Sequence, residues 1–292
     1  MNRLIIDKNS TIKVHDRTII VDSQKIPLSL IDILIISGDL EIDLKAISKI
    51  AKMNIPLLIV TAKPKEFIFI QKCSIKNGQL KEAQYKALEY KKEIATYILI
   101  EKAQRSHNFL QSFDLDRYIA QIVNARSVEE LLGIEGSMAK AYFKLYFERF
   151  PKILTKGKRT KHPPLDPVNA MLSYIYTIFY YEIASRLITF GFEPTIGYLH
   201  KPFRDHMALA SDLLELFRAR IDAFVEHLFS DKILLPRDFT NKSGVYLTKT
   251  GRKKLWPHLK ALLEENDPKI DQEIANLRFM IENVSSSDLQ QK

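Results

Sequence analysis

Hydrophobic positions change their period near residue 77, and that change divides the chain. Ahead of it, short β-branched runs are separated by charged or turn residues: Leu4-Ile5-Ile6, Thr11-Ile12-Lys13-Val14, Thr18-Ile19-Ile20-Val21, Leu34-Ile35-Ile36, Pro56-Leu57-Leu58-Ile59-Val60 and Phe67-Ile68-Phe69-Ile70. Their spacing and composition predict antiparallel strands. One helix, over 44–53, interrupts them and leads into a buried strand over 55–60. Residues 1–77 therefore read as a small, mainly β, sandwich-like domain.

After Asn77-Gly78 the apolar residues recur at helical spacing to the end of the chain, in segments near 79–106, 114–124, 127–149, 167–190, 203–230, 248–264 and 268–284. Asp166-Pro167 marks a helix start, an acidic N-cap followed by a proline at the first helical position, where its missing N–H costs nothing. Residues 78–292 read as a larger all-α domain, with a polar tail after Asn283. The fold class is thus α+β multidomain, a small β domain followed by a helical one that carries the chemistry.

Composition narrows the setting. At 292 residues, 46% hydrophobic and 27% charged, the chain is an ordinary globular sequence with room for two cores. A single cysteine, Cys73, excludes an internal disulfide and a cysteine-rich zinc site, which fits a reducing, cytoplasmic setting. An acid at Asp7 precedes any signal-like apolar run, and no stretch approaches the ~18 uncharged apolar residues of a membrane span, so no membrane partner is expected. The net charge of +9 favours polyanions. That surplus is concentrated: residues 152–162 hold five Lys/Arg and no acid, and residues 242–260 hold six and no acid. Two such stretches can track a phosphate backbone or be ordinary solvated loops.

Three separated patches carry candidate chemistry: Gly133-Ile134-Glu135-Gly136, Gly197-Tyr198-Leu199-His200, and Asp212-Leu213-Leu214-Glu215 running into Phe217-Arg218. On a helix, Asp212, Glu215 and Asp222 share roughly one quadrant, opposite Leu209, Leu213, Leu216 and Phe217. Arg218 lies three residues after Glu215 and four before Asp222, so the same face also reads as a salt-bridge ladder. His200 precedes Pro202 in a constrained loop or first turn just ahead of that helix, where it can complete a mixed nitrogen and oxygen site. Glu135, between two glycines and ahead of the Met138-Ala139-Tyr142-Phe143 stripe, is expected at a helix beginning, where an acid also complements the dipole. Together the patches can hold one hard divalent cation in a basic protein, which points to phosphodiester chemistry.

These patches, with Pro163-Pro164-Leu165-Asp166-Pro167-Val168-Asn169-Ala170 and Leu172-Ser173-Tyr174 between them, resemble in order and spacing the CRISPR-associated endonuclease Cas1, the integrase of CRISPR adaptation. The resemblance spans essentially the whole chain. It implies that Glu135, His200 and Glu215 bind Mg²⁺ or Mn²⁺, with Asp212 an assisting acid. It also implies dimers formed through the β domains, a complex with the partner protein Cas2, and joining of the 3′-hydroxyl ends of a short prespacer duplex to the leader-repeat boundary of the CRISPR array.

Within this frame Lys156, Lys158, Arg159, Lys161, His162, Arg252, Lys253 and Lys254 become candidate DNA contacts, and Tyr142, Asn169, Tyr174 and Arg218 candidate supports for the ligands or the DNA. The chain departs from the family pattern at His206-Met207-Ala208-Leu209, where Arg-x-Ser-Leu is usual, and at Ala219, where proline is usual. One histidine among oxygen donors suits Mn²⁺ at least as well as Mg²⁺. Two other functions use the same residues: a metal-dependent nuclease or branched-DNA resolvase acting in repair without integration, and a non-catalytic DNA-binding assembly protein.

Overall fold

A computed structural model describes residues 3–7, 11–31, 33–37, 41–53, 55–60, 67–70, 77–204, 206–241 and 243–287. The chain forms two compact units, Met1–Ile75 and Lys76–Lys292. Cys73, the polar end of the tail and the basic Lys242 lie outside the described residues.

The first unit contains two sheets and one crossover helix. Strands β1 (Arg3–Asp7), β5 (Ile33–Ser37), β6 (Leu57–Val60) and β7 (Phe67–Ile70) lie side by side in that order, while β2 (Ile12–His15), β3 (Thr18–Val21) and β4 (Gln24–Pro27) form an antiparallel meander. The meander matches the sequence expectation, but the larger sheet corrects it: β1 runs parallel to β5 and β5 parallel to β6, and only β7 is antiparallel. The physical reason is burial on both faces. Ile33, Leu34, Ile35 and Ile36 are all buried, as are Leu57 and Leu58, so these strands need continuous apolar runs and not alternation.

Helix α1 (Leu44–Lys52) supplies the crossover that parallel neighbours require, starting at Asp43, whose side chain accepts from Ala46 N at 2.7 Å. Ile6, Ile19, Leu34, Ile36, Ile50 and Leu57 from the two sheets and the helix share one core.

The second unit is helical, with α2 (Gly78–Lys86), α3 (Lys91–Phe109), α4 (Leu115–Asn124), α5 (Val128–Phe147), α6 (Pro167–Phe190), α7 (Ala208–Leu214), α8 (Arg218–Ser230) and α9 (Lys249–Ser287). A small hairpin of β8 (Phe239–Asn241) and β9 (Val245–Leu247), which apolar periodicity does not reveal, precedes α9. Helix α6 is the axis. It begins as expected, with Asp166 accepting from Asn169 N and Pro167 in the first turn, and ends at Gly191 at φ 97°. Its buried residues occur all round the helix, from Val168 and Met171 through Ile175 and Phe179 to Ile183 and Leu187, as in a helix surrounded by others.

Three helix expectations are corrected. The segment expected over 79–106 is two helices, α2 and α3, separated by a 3-10 turn at Ala87–Tyr90. The segment expected over 203–230 starts only at Ala208 and is interrupted by a 3-10 turn at Glu215–Phe217. The segments expected over 248–264 and 268–284 are one helix that continues through Pro257 and Pro268. A proline inside a helix removes a hydrogen bond and crowds the preceding turn. Here Leu255, Leu259 and Leu263 before Pro268, and Ile270, Ile274, Leu277 and Ile281 after it, are all buried, so packing on one continuous stripe outweighs the local penalty. Among the described residues, no helix is long and apolar enough to cross a membrane.

Helices α6 and α9 are fastened by Arg186, which lies 3.2 Å from Glu182, 2.5 Å from Asp267, and bonds Asp271 as well. Glu182 and Asp267 are themselves buried. Removing one member of such a buried cluster strands the opposite charges, at a cost of about 3–5 kcal/mol. Arg186→Met is therefore expected to lower unfolding free energy by about that amount in urea denaturation, and Lys269→Met, on an exposed pair, by under about 1 kcal/mol.

Candidate functional site

The loop carrying His200 is built around one carboxylate. Asp212, on α7 and fully buried, accepts from Tyr198 N at 2.6 Å and Leu199 N at 3.0 Å through Oδ2, and from His200 N at 2.9 Å through Oδ1. Gly197 makes this wrap possible, since a Cβ there would sit 2.8 Å from Ala208 Cβ and 2.9 Å from Asp212 Oδ2. Tyr198 and Leu199 anchor the loop in the core, and Tyr198 donates to Gln84 O at 3.1 Å.

The same Asp212 Oδ1 lies 2.8 Å from His200 Nδ1. An ionised carboxylate only accepts, so Nδ1 carries the proton and Nε2 is the ring's electron-pair donor. Burial works against a charge on His200, but Asp212, with Glu215 and Glu135 adding their fields, leaves its pKa above the ordinary value.

Glu215 sits at the 3-10 turn between α7 and α8, its side chain 1% exposed. Glu135 is not at a helix beginning, as the flanking glycines suggest, but within α5. That helix starts seven residues earlier, at Val128, where Glu130 N donates to the N-cap Ser127 Oγ at 3.2 Å and Arg126 N donates to Glu130 Oε2 at 2.7 Å. A Cβ at Gly133 or Gly136 would meet nothing within 4 Å, so packing does not demand either glycine and both leave the helix surface beside Glu135 open.

The two glutamates converge on one cation. Lys102 of α3 places Nζ 2.5 Å from Glu135 Oε1 and 2.6 Å from Glu215 Oε2, and Arg218 Nε lies 2.7 Å from Glu215 Oε2. Burial pushes the Glu215 pKa up, yet Arg218 and Lys102 together hold it well below the usual carboxylate range. Among the described residues no three His, Cys, Asp or Glu side chains gather closely enough to cage an ion as they stand. What the structure does show is two hard carboxylates already aimed at a single positive charge, with an oriented imidazole in their electrostatic range. That donor set suits Mg²⁺ or Mn²⁺.

Behind this centre lies a cavity of about 60 Å³ bordered by Lys102, Glu135, Tyr142, Arg159, Lys161, Arg218 and Asp222. Asp222 accepts a short hydrogen bond from the Tyr176 hydroxyl. Burial pushes its pKa up to about 6, against the hydrogen bonds of Tyr176 and the nearby Tyr142 and the charges of Arg218 and Arg159.

The expected supporting residues divide. Arg218 touches Glu215, and Tyr142 borders the cavity. Asn169, fully buried, works elsewhere: it donates to Lys158 O and Asp166 Oδ2 and accepts from Thr160 N, tying down the basic loop. Tyr174 is half-buried against the helical core.

The basic stretches divide as well. Arg159 turns inward to Asn169 Oδ1 at 3.0 Å and Ser173 Oγ at 3.1 Å, over the Tyr176 ring. Lys156, Lys158 and His162 are exposed, and Lys161 is exposed while bordering the cavity. On α9, Arg252 and Lys253 are exposed, while Lys254 lies 2.8 Å from Asp238. Lys102 escaped the sequence reading. Its signal is a charge at the i+4 position after Ile98, on the buried face of α3 with Ile94 and Ile98.

A profile of the family described as CRISPR associated protein Cas1 matches residues 4–261. The chain belongs to the Cas1 family. A Cas1 endonuclease of Thermodesulfovibrio yellowstonii is 36% identical over 254 residues, 80% of each chain. One from Thermus thermophilus is 27% identical, covering 79% of this chain and 72% of its own. Solved structures agree on the fold: a Cas1 protein from Thermotoga maritima superposes with a TM-score of 0.87 over 96% of this chain and 97% of that one at 21% identity, and a casposase bound to its integration product with 0.82 over 90% and 83% at 24%.

The raised Asp222 gives this Cas1 chain a pH signature. Because its folded pKa of about 6 exceeds the ordinary 3.8, the unfolded chain releases the proton first, and this residue's contribution to stability falls as pH rises through that window. Asp222→Asn lacks the slope. Its stability relative to wild type is expected to improve by about 2 kcal/mol between pH 4 and pH 7, measured by urea denaturation across that range.

Proposed function

We propose that this chain is a divalent-metal-dependent DNA endonuclease and integrase of CRISPR adaptation, which joins the 3′-hydroxyl ends of a short duplex into the repeat array. The observation that carries the reading is the convergence of Glu135 and Glu215, from separate helical segments, within 2.6 Å of one cation. Supporting it, a casposase with an integration product, a Cas6-RT-Cas1–Cas2 complex and a Cas1–DNA complex share the fold.

Glu135, Glu215 and His200 Nε2 would hold Mg²⁺ or Mn²⁺. When bound, such an ion neutralises charge on the phosphate oxygens and assists the attacking and leaving oxygens. Asp212 fixes the tautomer and orientation of His200, and Arg218 fixes the Glu215 carboxylate. In the reaction the 3′-oxygen forms a new bond to phosphorus, the bond from phosphorus to the target strand's 3′-oxygen breaks, and the proton moves from attacking to leaving oxygen, so no cofactor is consumed. Exposed Lys156, Lys158, Lys161 and His162 approach the phosphates on one side, and Arg252 and Lys253 guide the duplex elsewhere. The first unit would dimerise, and the dimer would assemble with Cas2, in the cytoplasm.

Strand transfer of a labelled duplex into a supercoiled plasmid carrying a repeat array tests this reading, with and without Cas2. Wild type is expected to give joined product with Mn²⁺ at least as well as with Mg²⁺, and Glu135→Ala or His200→Ala to lose it by about 10²-fold or more. Cleavage without joining in wild type would reduce the activity to a nuclease, and full activity in Glu135→Ala would remove that residue from the site.

Phosphate contacts release counterions, about one per neutralised phosphate. The double substitution Arg252→Ala/Lys253→Ala is therefore expected to weaken duplex binding and to lower the slope of log affinity against log salt by about two, as read by fluorescence anisotropy from 50 to 200 mM salt. An unchanged slope would move the DNA path off this face of α9.

A further inference from the structure

We infer that Lys102 is a resident counter-ion of the metal site: it closes the site in the metal-free protein and swings into the adjoining cavity, toward Asp222 and Tyr142, when a divalent cation binds. The inference rests on the metal-binding reading of Glu135, Glu215 and His200 given above.

Three observations carry it. First, the Lys102 ammonium occupies the point where a cation would sit, within 2.5 Å of Glu135 and 2.6 Å of Glu215, with its side chain 7% exposed. A dication and an ammonium cannot share that point, because their repulsion at contact in a poorly solvated site is strong. Second, the other cation on Glu215 is held too firmly to make way. Arg218 is fixed on Glu215 and stacks over the Tyr176 ring at 4.6 Å, and a guanidinium held in that way has little freedom. Lysine has a flexible four-carbon stem.

Third, a destination exists. The cavity that Lys102 borders also reaches Tyr142 and Asp222, and its 60 Å³ is several times the ~10–15 Å³ that one water needs, enough for an ammonium group. The Tyr142 hydroxyl and Asp222 Oδ2 are buried there and interact with each other, but neither makes a hydrogen bond of good geometry. Asp222 is fully buried and Tyr142 5% exposed, so an oxygen left this way is costly unless a donor arrives. A displaced ammonium supplies up to three donors and needs a buried anion, and Asp222 is one.

A site whose open form is a minor state, about 0.1–10% populated, binds its ligand more weakly by that fraction. Lys102→Met removes the competitor. In isothermal titration calorimetry of the full chain with Mn²⁺ alone, it is expected to bind about 10- to 1000-fold tighter than wild type. Asp222→Asn is expected to weaken Mn²⁺ binding in the wild-type background and to change nothing in the Lys102→Met background, since only a displaced lysine needs the acceptor. Glu135→Gln is the ligand control.

Equal or weaker binding by Lys102→Met, with binding still lost in Glu135→Gln, overturns the counter-ion role and leaves the metal site standing. Wild-type affinity in Asp222→Asn overturns the swing into the cavity, and that variant serves on its own if Lys102→Met fails to fold. Mn²⁺ binding that survives Glu135→Gln, or absence of binding in both wild type and Lys102→Met, overturns the metal reading itself and this inference with it.

Discussion

Glu215 is a carboxylate with 1% of its side chain exposed, held ionised in the interior by Lys102 and Arg218. A buried anion is tolerable only when paired and hydrogen-bonded with good geometry, and that requirement ties together helices distant in sequence. Lys102 comes from α3, Glu135 from α5, Glu215 and Arg218 from the junction of α7 and α8. The 3-10 turn at Glu215–Phe217 is where the chain presents the acid while Leu216 and Phe217 stay in the core. Arg105, one turn along α3 from Lys102, donates to Leu216 O at 2.9 Å and so satisfies a carbonyl that the break in the helix leaves open.

Asp212 shows the same economy in a different role. Its position three residues before Glu215 makes it look like a second metal ligand, but four hydrogen bonds from the 198–200 backbone and the His200 ring consume it. The acid that looked catalytic in the sequence is the one that shapes the loop and selects the tautomer. A pair of acids at i and i+3 thus divides into a ligand candidate and an organiser because the helix between them changes type.

Much of this was legible in the residues. Motif order singled out Glu135 and Glu215, which the fold brings to one lysine; the crossover helix near 44–53 and the Asp166-Pro167 start followed from local chemistry, and the change of texture near residue 77 from periodicity. What escaped has specific causes. The parallel pairing of β1, β5 and β6 was concealed because short apolar runs do not report direction, although a helix between two such runs is itself the signal for a crossover. Gly133 and Gly136 read as helix punctuation but lie inside α5, where the capping pair Ser127 and Glu130 marks the true start. Pro257 and Pro268 read as breaks because local rules do not see the stripe from Leu255 to Ile281 that holds α9 together. Arg159 read as a surface cation because the sequence does not show that Asn169 and Ser173 pull it inward.

Lys102 is the most instructive of these misses, since it combines an ordinary residue type with an unusual address. A lysine on the buried face of a helix is rarely there for packing, because its charge needs a partner that the local sequence does not supply. Here the partners come from 33 positions away at Glu135 and from the α7–α8 junction at Glu215. Two carboxylates brought together without a cation would repel each other and push α5 away from the α7–α8 junction. On the metal-binding reading proposed above, the lysine would let the protein fold with both carboxylates in place before an ion arrives. On that reading folding and metal affinity would draw on the same two carboxylates, so what stabilises the chain without an ion would oppose the ion, and the adjoining cavity beside Asp222 and Tyr142 is where that opposition would be relieved.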